Sequence, residues 1–145
     1  MLSIESLLKK LNAGDVSSEA LLKQCFEKIR EEEGEGSRTF IRLFEQEAMN
    51  AARAVDAARH AGKALAPYAG VPISVKDLFD VRGSVTSAGS KVLQKQLPAE
   101  QDAKVVKRLG RAGFIIVGAT NMTEFAYSGL GINPHYGTPL NPFER

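Results

Sequence analysis

Two short runs, VPISV at residues 71–75 and FIIVG at residues 114–118, are β-branched and almost wholly apolar, and they read as strands. The segment directly before the second, DAKVVKRLGRAG, reads as a helix with Asp102 placed to cap it and Gly113 to stop it. Parallel strands need a crossover, usually a helix, so this order points to an α/β fold with an at least partly parallel sheet. Pro72 fits only near a strand start or on an edge. Both runs are also where an incompletely covered sheet would be expected to pair wrongly.

The rest of the chain supports that architecture. Ile4, Leu7, Leu8 and Leu11 share one helix face, with Ser3 as cap and Gly14 as stop, which predicts a helix over 4–13. A second helix comes next, with Ser17 as cap, Glu19 near its N-terminal dipole and Leu22, Cys25, Phe26 and Ile29 along one face. The acidic run EEEGEGS should end it in a solvated loop. These two helices, the 4–30 region, are expected to stand apart from the sheet. From residue 38 onward the partial α/β core begins: TFIRLF reads as a strand, and EQEAMNAARAVDAARHAGK as a helix up to Gly62. Its alanines at 48, 51, 52 and 58 imply close packing against a flat neighbour. A turn is expected from Pro67 to Gly70. Residues 83–90, GSVTSAGS, are too small and hydroxylic to make core. Thr120 or Asn121 could cap a short helix, with Asn121 and Glu124 at capping-box spacing. From Gly129 to residue 145 no period is visible, which suggests a binding loop or an incomplete unit.

At 145 residues the chain is the size of one domain, and no apolar run approaches the ~20 residues of a membrane span. The start, MLSIESLLKK, lacks the pattern of a secretory signal, so a genuine N-terminus and a cytoplasmic location are expected. The net charge is +2, with 19 basic residues scattered among 17 acidic ones, so nothing points to nucleic acid. Cys25 stands alone, which excludes an internal disulfide and a thiolate metal cluster and leaves core packing as its role. His60 falls on the polar side of its helix. His135 has no Asp or Cys at a suggestive spacing, so neither a Ser-His-Asp triad nor a metal site is expected. GLGINP lacks the third glycine of a dinucleotide loop, and no phosphate-binding lysine loop occurs.

Lys76 follows the apolar strand in AGVPISVKDLFDV. Its flexible stem could simply reach water. Alternatively, an ammonium in a site poor in water has its pKa lowered from ~10.4 by as much as ~3 to 5 units, which would make it a general base or a Schiff-base nucleophile near neutral pH. Val71, Ile73 and Val75 could wall such a site, and Ser84, Thr86, Ser87 and Ser90 could orient the amine. Asp77 would point to the opposite face if the strand continues.

The segments LAPYAGVPISVKDLFDVRGSVTSAGSKVL and DAKVVKRLGRAGFIIVGATNMTEFAYSGLGINPHYGTPLNPFER resemble, in order and approximate spacing, the N-terminal third of the amidase signature family. The resemblance implies an α/β/α layered fold around a mixed sheet, with residues 1–145 as the N-terminal portion of one amidase domain. It implies amide carbon–nitrogen cleavage without metal or organic cofactor, Lys76 being the base of a Ser-cis-Ser-Lys triad. Ala126, Tyr127 and Ser128 would line the acyl or leaving-group side of the pocket, Tyr127 touching the substrate. The family's bridging serine lies after the position of Arg145 and its nucleophile lies further on. Ser87, Ser90 and Ser128 do not match the nucleophile's motif, so the chain is expected to be truncated and inactive alone. The implied partner is a small-molecule amide, with no membrane and with a homodimer left open. A narrower option is the A subunit of a glutamine-dependent aminoacyl-tRNA amidotransferase, which would bring in tRNA. A non-catalytic α/β interaction module and a Schiff-base enzyme are the rivals.

Overall fold

A computed structural model describes residues 3–141, so Pro142 of the HYGTPLNP segment and the residues after it lie outside the described part. Helix α1 (Ile4–Ala13) begins where Ser3 Oγ accepts the Ser6 amide at 3.2 Å and ends at Gly14, whose φ of 78° is the left-handed conformation that glycine adopts without strain. Helix α2 (Ser18–Ile29) is capped by Ser17, which accepts the Ala20 amide at 3.0 Å. The acidic run after it is not wholly loop: its last two residues, Gly36 and Ser37, open the four-residue helix α3 (Gly36–Thr39). That helix leads into strand β1 (Phe40–Leu43), which is followed by helix α4 (Glu45–His60). A turn over residues 67–70 precedes strand β2 (Pro72–Lys76). A long loop, with one 3-10 turn at Leu93–Lys95, then runs to helix α5 (Lys104–Ala112) and strand β3 (Ile115–Thr120). A second 3-10 turn, Glu124–Ala126, opens the irregular end of the chain.

The three strands form one mixed sheet in the order β1-β3-β2. Strands β2 and β3 are parallel, from Pro72 opposite Ile115 to Lys76 opposite Thr120, and α5 lies in the crossover between them. Strand β1 runs antiparallel on the other side of β3, with Leu43 opposite Gly118. Pro72 is thus the first residue of an edge strand, where its missing N–H costs no ladder bond. Among the described residues FIIVG, in β3, is paired on both sides, whereas VPISV, in β2, is paired on one side.

The apolar core joins Leu22 and Phe26 of α2, Ala48, Met49 and Ala52 of α4, and Ile115 and Val117 of β3. Helix α2 therefore does not stand apart: its apolar face packs on α4, and both close over the sheet. Burying a side chain such as Phe26 contributes roughly 1.5–3 kcal/mol, against about 1 kcal/mol for a single helix cap. Ala48 and Ala52 are the small residues that permit this approach, whereas Ala51 is exposed and Ala58 half-buried. Cys25 is half-buried beside this core, and burial pushes its thiol pKa up.

Two local expectations are corrected. Asp102 does not cap α5; its Oδ1 accepts the Arg82 amide at 2.7 Å, and Ala103 stands at the cap position without a side-chain bond. Residues 87–90 are buried, because hydrogen bonds rather than apolar area hold them inside. Gly113, with φ 99°, does end α5.

Candidate active site

The C-terminal ends of parallel strands are where the loops of an open α/β sheet gather and where ligands commonly bind. Here β2 ends at Lys76, and the pleat sets which side chains reach solvent: Val75 and Asp77 are buried, while Lys76 between them is exposed. The apolar residues therefore pack on the side away from the amine, and the described residues do not build the expected apolar wall around it.

Asp77 is 2% exposed and is tied at every polar atom. Its amide continues the ladder to Thr120 O at 3.0 Å, and its carbonyl accepts the Ala88 amide at 2.9 Å. Its carboxylate accepts the Ser87 hydroxyl at 2.5 Å, the Gly89 amide at 3.1 Å and, at the limit, the Ser87 amide at 3.5 Å. Ala88 and Gly89 both have positive φ, 49° and 68°, so the loop curls and turns its N–H groups toward the carboxylate in an anion-holding nest. A non-glycine residue in that conformation costs on the order of 1–3 kcal/mol and persists only where its surroundings enforce it. Gly89 could not be anything larger, since a Cβ would lie 2.7 Å from Met122 O and 2.9 Å from Asn133 Nδ2.

Arg42 reaches from β1 across the central strand toward the same point. Its Nη1 donates to Ser84 Oγ at 3.0 Å and to Val85 O at 2.5 Å, and it lies 3.6 Å from Asp77 Oδ1. Two asparagines extend the network into the last loops. Asn133, buried, donates from Nδ2 to Gly89 O at 2.8 Å and Met122 O at 2.7 Å, while its Oδ1 accepts the His135 amide at 2.8 Å. Asn121 donates to Arg38 O at 2.9 Å and Gly137 O at 2.7 Å and accepts the Met122 amide. It makes no capping box with Glu124, which instead pairs with His135 at 3.4 Å.

The hydroxyls expected to orient Lys76 have other partners. Ser87 serves Asp77, Thr86 donates to Asp80, Ser84 accepts from Arg42 and Ser90 accepts the Val92 amide. Ala126 and Tyr127 are exposed, Tyr127 at 91%, and Ser128 is half-buried with its Oγ accepting the Leu130 amide. These residues belong to the same layer as Lys76: Ala88, bonded to Asp77, accepts the Phe125 amide at 2.8 Å. Both Phe125 and Ala126 have positive φ, 55° and 57°, a tight turn that carries Tyr127 outward. The groove of about 860 Å³ between β1, α4 and α5, lined by Arg42, Leu43, Ala48, Val106 and Phe114, includes neither Lys76 nor Tyr127. Among the described residues no group of three or more His, Cys, Asp or Glu comes together, and no helix is long and apolar enough to cross a membrane.

Sequence reasoning missed Asp77, Asn133, Asn121 and Arg42 as organisers of this layer. The available signals were an aspartate ten residues before a Ser-Ala-Gly-Ser run and asparagines inside Gly/Pro-rich loops, where their side chains commonly bond backbone.

The family model described as Amidase matches residues 20–145. The A subunit of the glutamyl-tRNA(Gln) amidotransferase of Rhodopirellula baltica is 39% identical over 142 residues, 98% of this chain but 28% of that protein. The AtzE subunit of the 1-carboxybiuret hydrolase of Pseudomonas sp. is 46% identical over 93 residues, 64% of this chain and 20% of its own length. Among solved structures, a chain from a complex described as vestigial and tied to the origins of an s-triazine catabolic enzyme superposes with a TM-score of 0.92 at 34% identity. The match covers 99% of this chain and 31% of that one. The chain thus spans under a third of the length of these relatives.

Proposed function

The chain belongs to the amidase signature family, and on that premise we propose that it forms the N-terminal part of an enzyme that cleaves a carboxylic amide carbon–nitrogen bond with Lys76 as its base. The observation that carries the reading is the place of Lys76. It is the last residue of β2, opposite Thr120 in parallel register, and exposed at the sheet end where the loops gather. In its neutral form Lys76 accepts a proton from a bridging serine as that serine takes one from the serine nucleophile. The nucleophile's oxygen bonds to the amide carbon, the amine leaves with a proton, and water or another acceptor resolves the acyl-enzyme. By the family resemblance, both serines and the oxyanion-holding amides belong to segments beyond residue 145. Ala126, Tyr127 and Ser128 line the substrate side, and no step uses a metal or organic cofactor. A cytoplasmic location goes with this reading.

A second reading is favoured by one observation, the 39% identity to the A subunit of a glutamyl-tRNA(Gln) amidotransferase along nearly the whole chain. There the same acyl chemistry would act on glutamine, the nitrogen going to a charged tRNA, and partner subunits would be needed.

The test joins residues 1–145 in frame to the remaining C-terminal part of that relative and measures turnover of glutamine and of simple amides. The joined protein should be active and the 145-residue chain alone inactive. Lys76→Ala and Lys76→Arg should both lose roughly 10²–10⁴-fold, since general-base catalysis is worth about that much and guanidinium, with a pKa above ~12, cannot accept the proton. An arginine variant that keeps most of the activity would make Lys76 an electrostatic residue and overturn the proposal.

A further inference from the structure

We infer that Asp77 is the positioning residue of this site: its buried carboxylate, held in the nest of the 87–89 loop, fixes both the strand end that carries Lys76 and the loops that carry Ala126, Tyr127 and Ser128. The inference rests on the reading of Lys76 as the base. Asp77 points away from Lys76 and is buried, so it acts through its neighbours.

Three connections make it the common point. Its own backbone extends the parallel ladder by one bond beyond Lys76, to Thr120 O, so the peptide after the lysine is pinned to the central strand. Its carboxylate gathers the Ser87 hydroxyl and the Gly89 amide, and the loop so shaped passes the constraint on. Ala88 O accepts the Phe125 amide, and Gly89 O shares the Asn133 side chain with Met122 O. Strand end, 87–89 loop, 122–128 turn and 133–138 loop are therefore linked through one buried anion, with the Arg42 guanidinium 3.6 Å away as its counter-charge. A neutral amide in the same place cannot serve all these donors. With its oxygen in the place of Oδ2, where the Ser87 hydroxyl and the Gly89 amide bond, its NH₂ faces the Ser87 amide and the Arg42 guanidinium on the Oδ1 side. The Ser87 amide and the Arg42 guanidinium then lose their acceptor and meet an NH₂ donor instead, and the loop answers by opening.

The experiment measures amide hydrogen exchange and the ¹³Cε resonance of Lys76 in the 145-residue chain, in Asp77→Asn, Ser87→Ala and Lys76→Ala. In Asp77→Asn the amides of Ser87, Ala88, Gly89 and Phe125 should exchange at least about tenfold faster, and the Lys76 resonance should shift, while the amides of Phe26 and Ala52 keep their rates. Ser87→Ala should move the same amides in the same direction by less, and Lys76→Ala should leave them unchanged. Loop amides within about twofold of the parent, an unmoved Lys76 resonance, or equal acceleration in α2 and α4 would each overturn the inference. Should Asp77→Asn fail to fold, Ser87→Ala decides alone, and unchanged Gly89 and Phe125 rates overturn it. Failure of the base reading shows separately, as turnover that survives Lys76→Ala in the joined enzyme while the exchange pattern stands.

Discussion

Leu22, Phe26 and Ala52 beneath the helices are no more deeply buried than Ser87, Ser90 and Asn133 at the strand ends. The first group is held by area removed from water, which has no preferred direction, and the second by hydrogen bonds, each of which needs a partner at a fixed point. The two regions should therefore fail differently. Loss of area weakens the whole cooperative unit, whereas loss of a directional bond leaves a named donor or acceptor stranded and opens the structure around it. Lys76 at the border gains from the second kind of support, because the strand end that carries it is fixed by bonds at particular atoms.

The sharpest way to break this comparison is Phe26→Ala. Phe26 is 1% exposed at the centre of the α2/α4/β3 cluster, with the Arg30 guanidinium 5.9 Å over its ring. Removing such a side chain should cost about 3–5 kcal/mol, read as a lower urea midpoint with the same slope by every probe. A loss confined to α2, with β3 amides still protected, would mean that the cluster is not one unit.

Asn133→Ala should cost less and act locally. It strands Gly89 O and Met122 O and frees the His135 amide, which should cost about 1–3 kcal/mol if nothing replaces the bonds. Exchange should rise at Gly89 and in the 121–138 loops before the global midpoint moves. If the midpoint falls as far as it does in Phe26→Ala, the loop layer is part of the main core and the distinction fails.

The same difference decides what can be read from the residues. Ser3, Gly14, Ser17 and Gly113 are legible because a cap bonds within its own turn, and the strand–helix–strand order is legible because a parallel pair requires it. The position of Lys76 at a strand end is legible from where the apolar run stops. The partners of the site are not. Asp102 has the spacing of a cap but is taken by Arg82, and Asn121 has the spacing of a capping box but is taken by Arg38 and Gly137. The serines at 87 and 90 look like surface because their composition is polar, and only the presence of Asp77 and Asn133 makes burial of that loop possible. Helix α2 reads as separate from the sheet because its apolar face names no partner until α4 lies against it.

The apolar region does contain one directional device, and it gives the smallest effect and the cleanest sign. Asp56 of α4 accepts the amides of Ser18 and Glu19, both at 2.9 Å, so a carboxylate on one core helix caps the start of the other, with Arg59 3.2 Å away. Burial by itself would raise the Asp56 pKa, but the Glu19 and Ser18 amides, the Ser18 side chain and the Arg59 charge together hold it below the usual carboxylate range. A folded pKa below the unfolded value of ~3.9 means that the native state favours the anion. The stabilisation is therefore complete above ~3.9 and is lost as pH falls through the lower folded value. Asp56→Asn carries no charge at any pH and keeps one acceptor oxygen, so the parent should exceed it by about 1 kcal/mol, the scale of a helix cap, at pH 6–7. That difference should shrink toward zero on acidification, and exchange at the first turn of α2 should rise with it. A gap that stays flat from neutral pH down to the acid transition would mean that the Asp56 charge contributes nothing. Asp56 would then act by shape, as its apolar neighbours do.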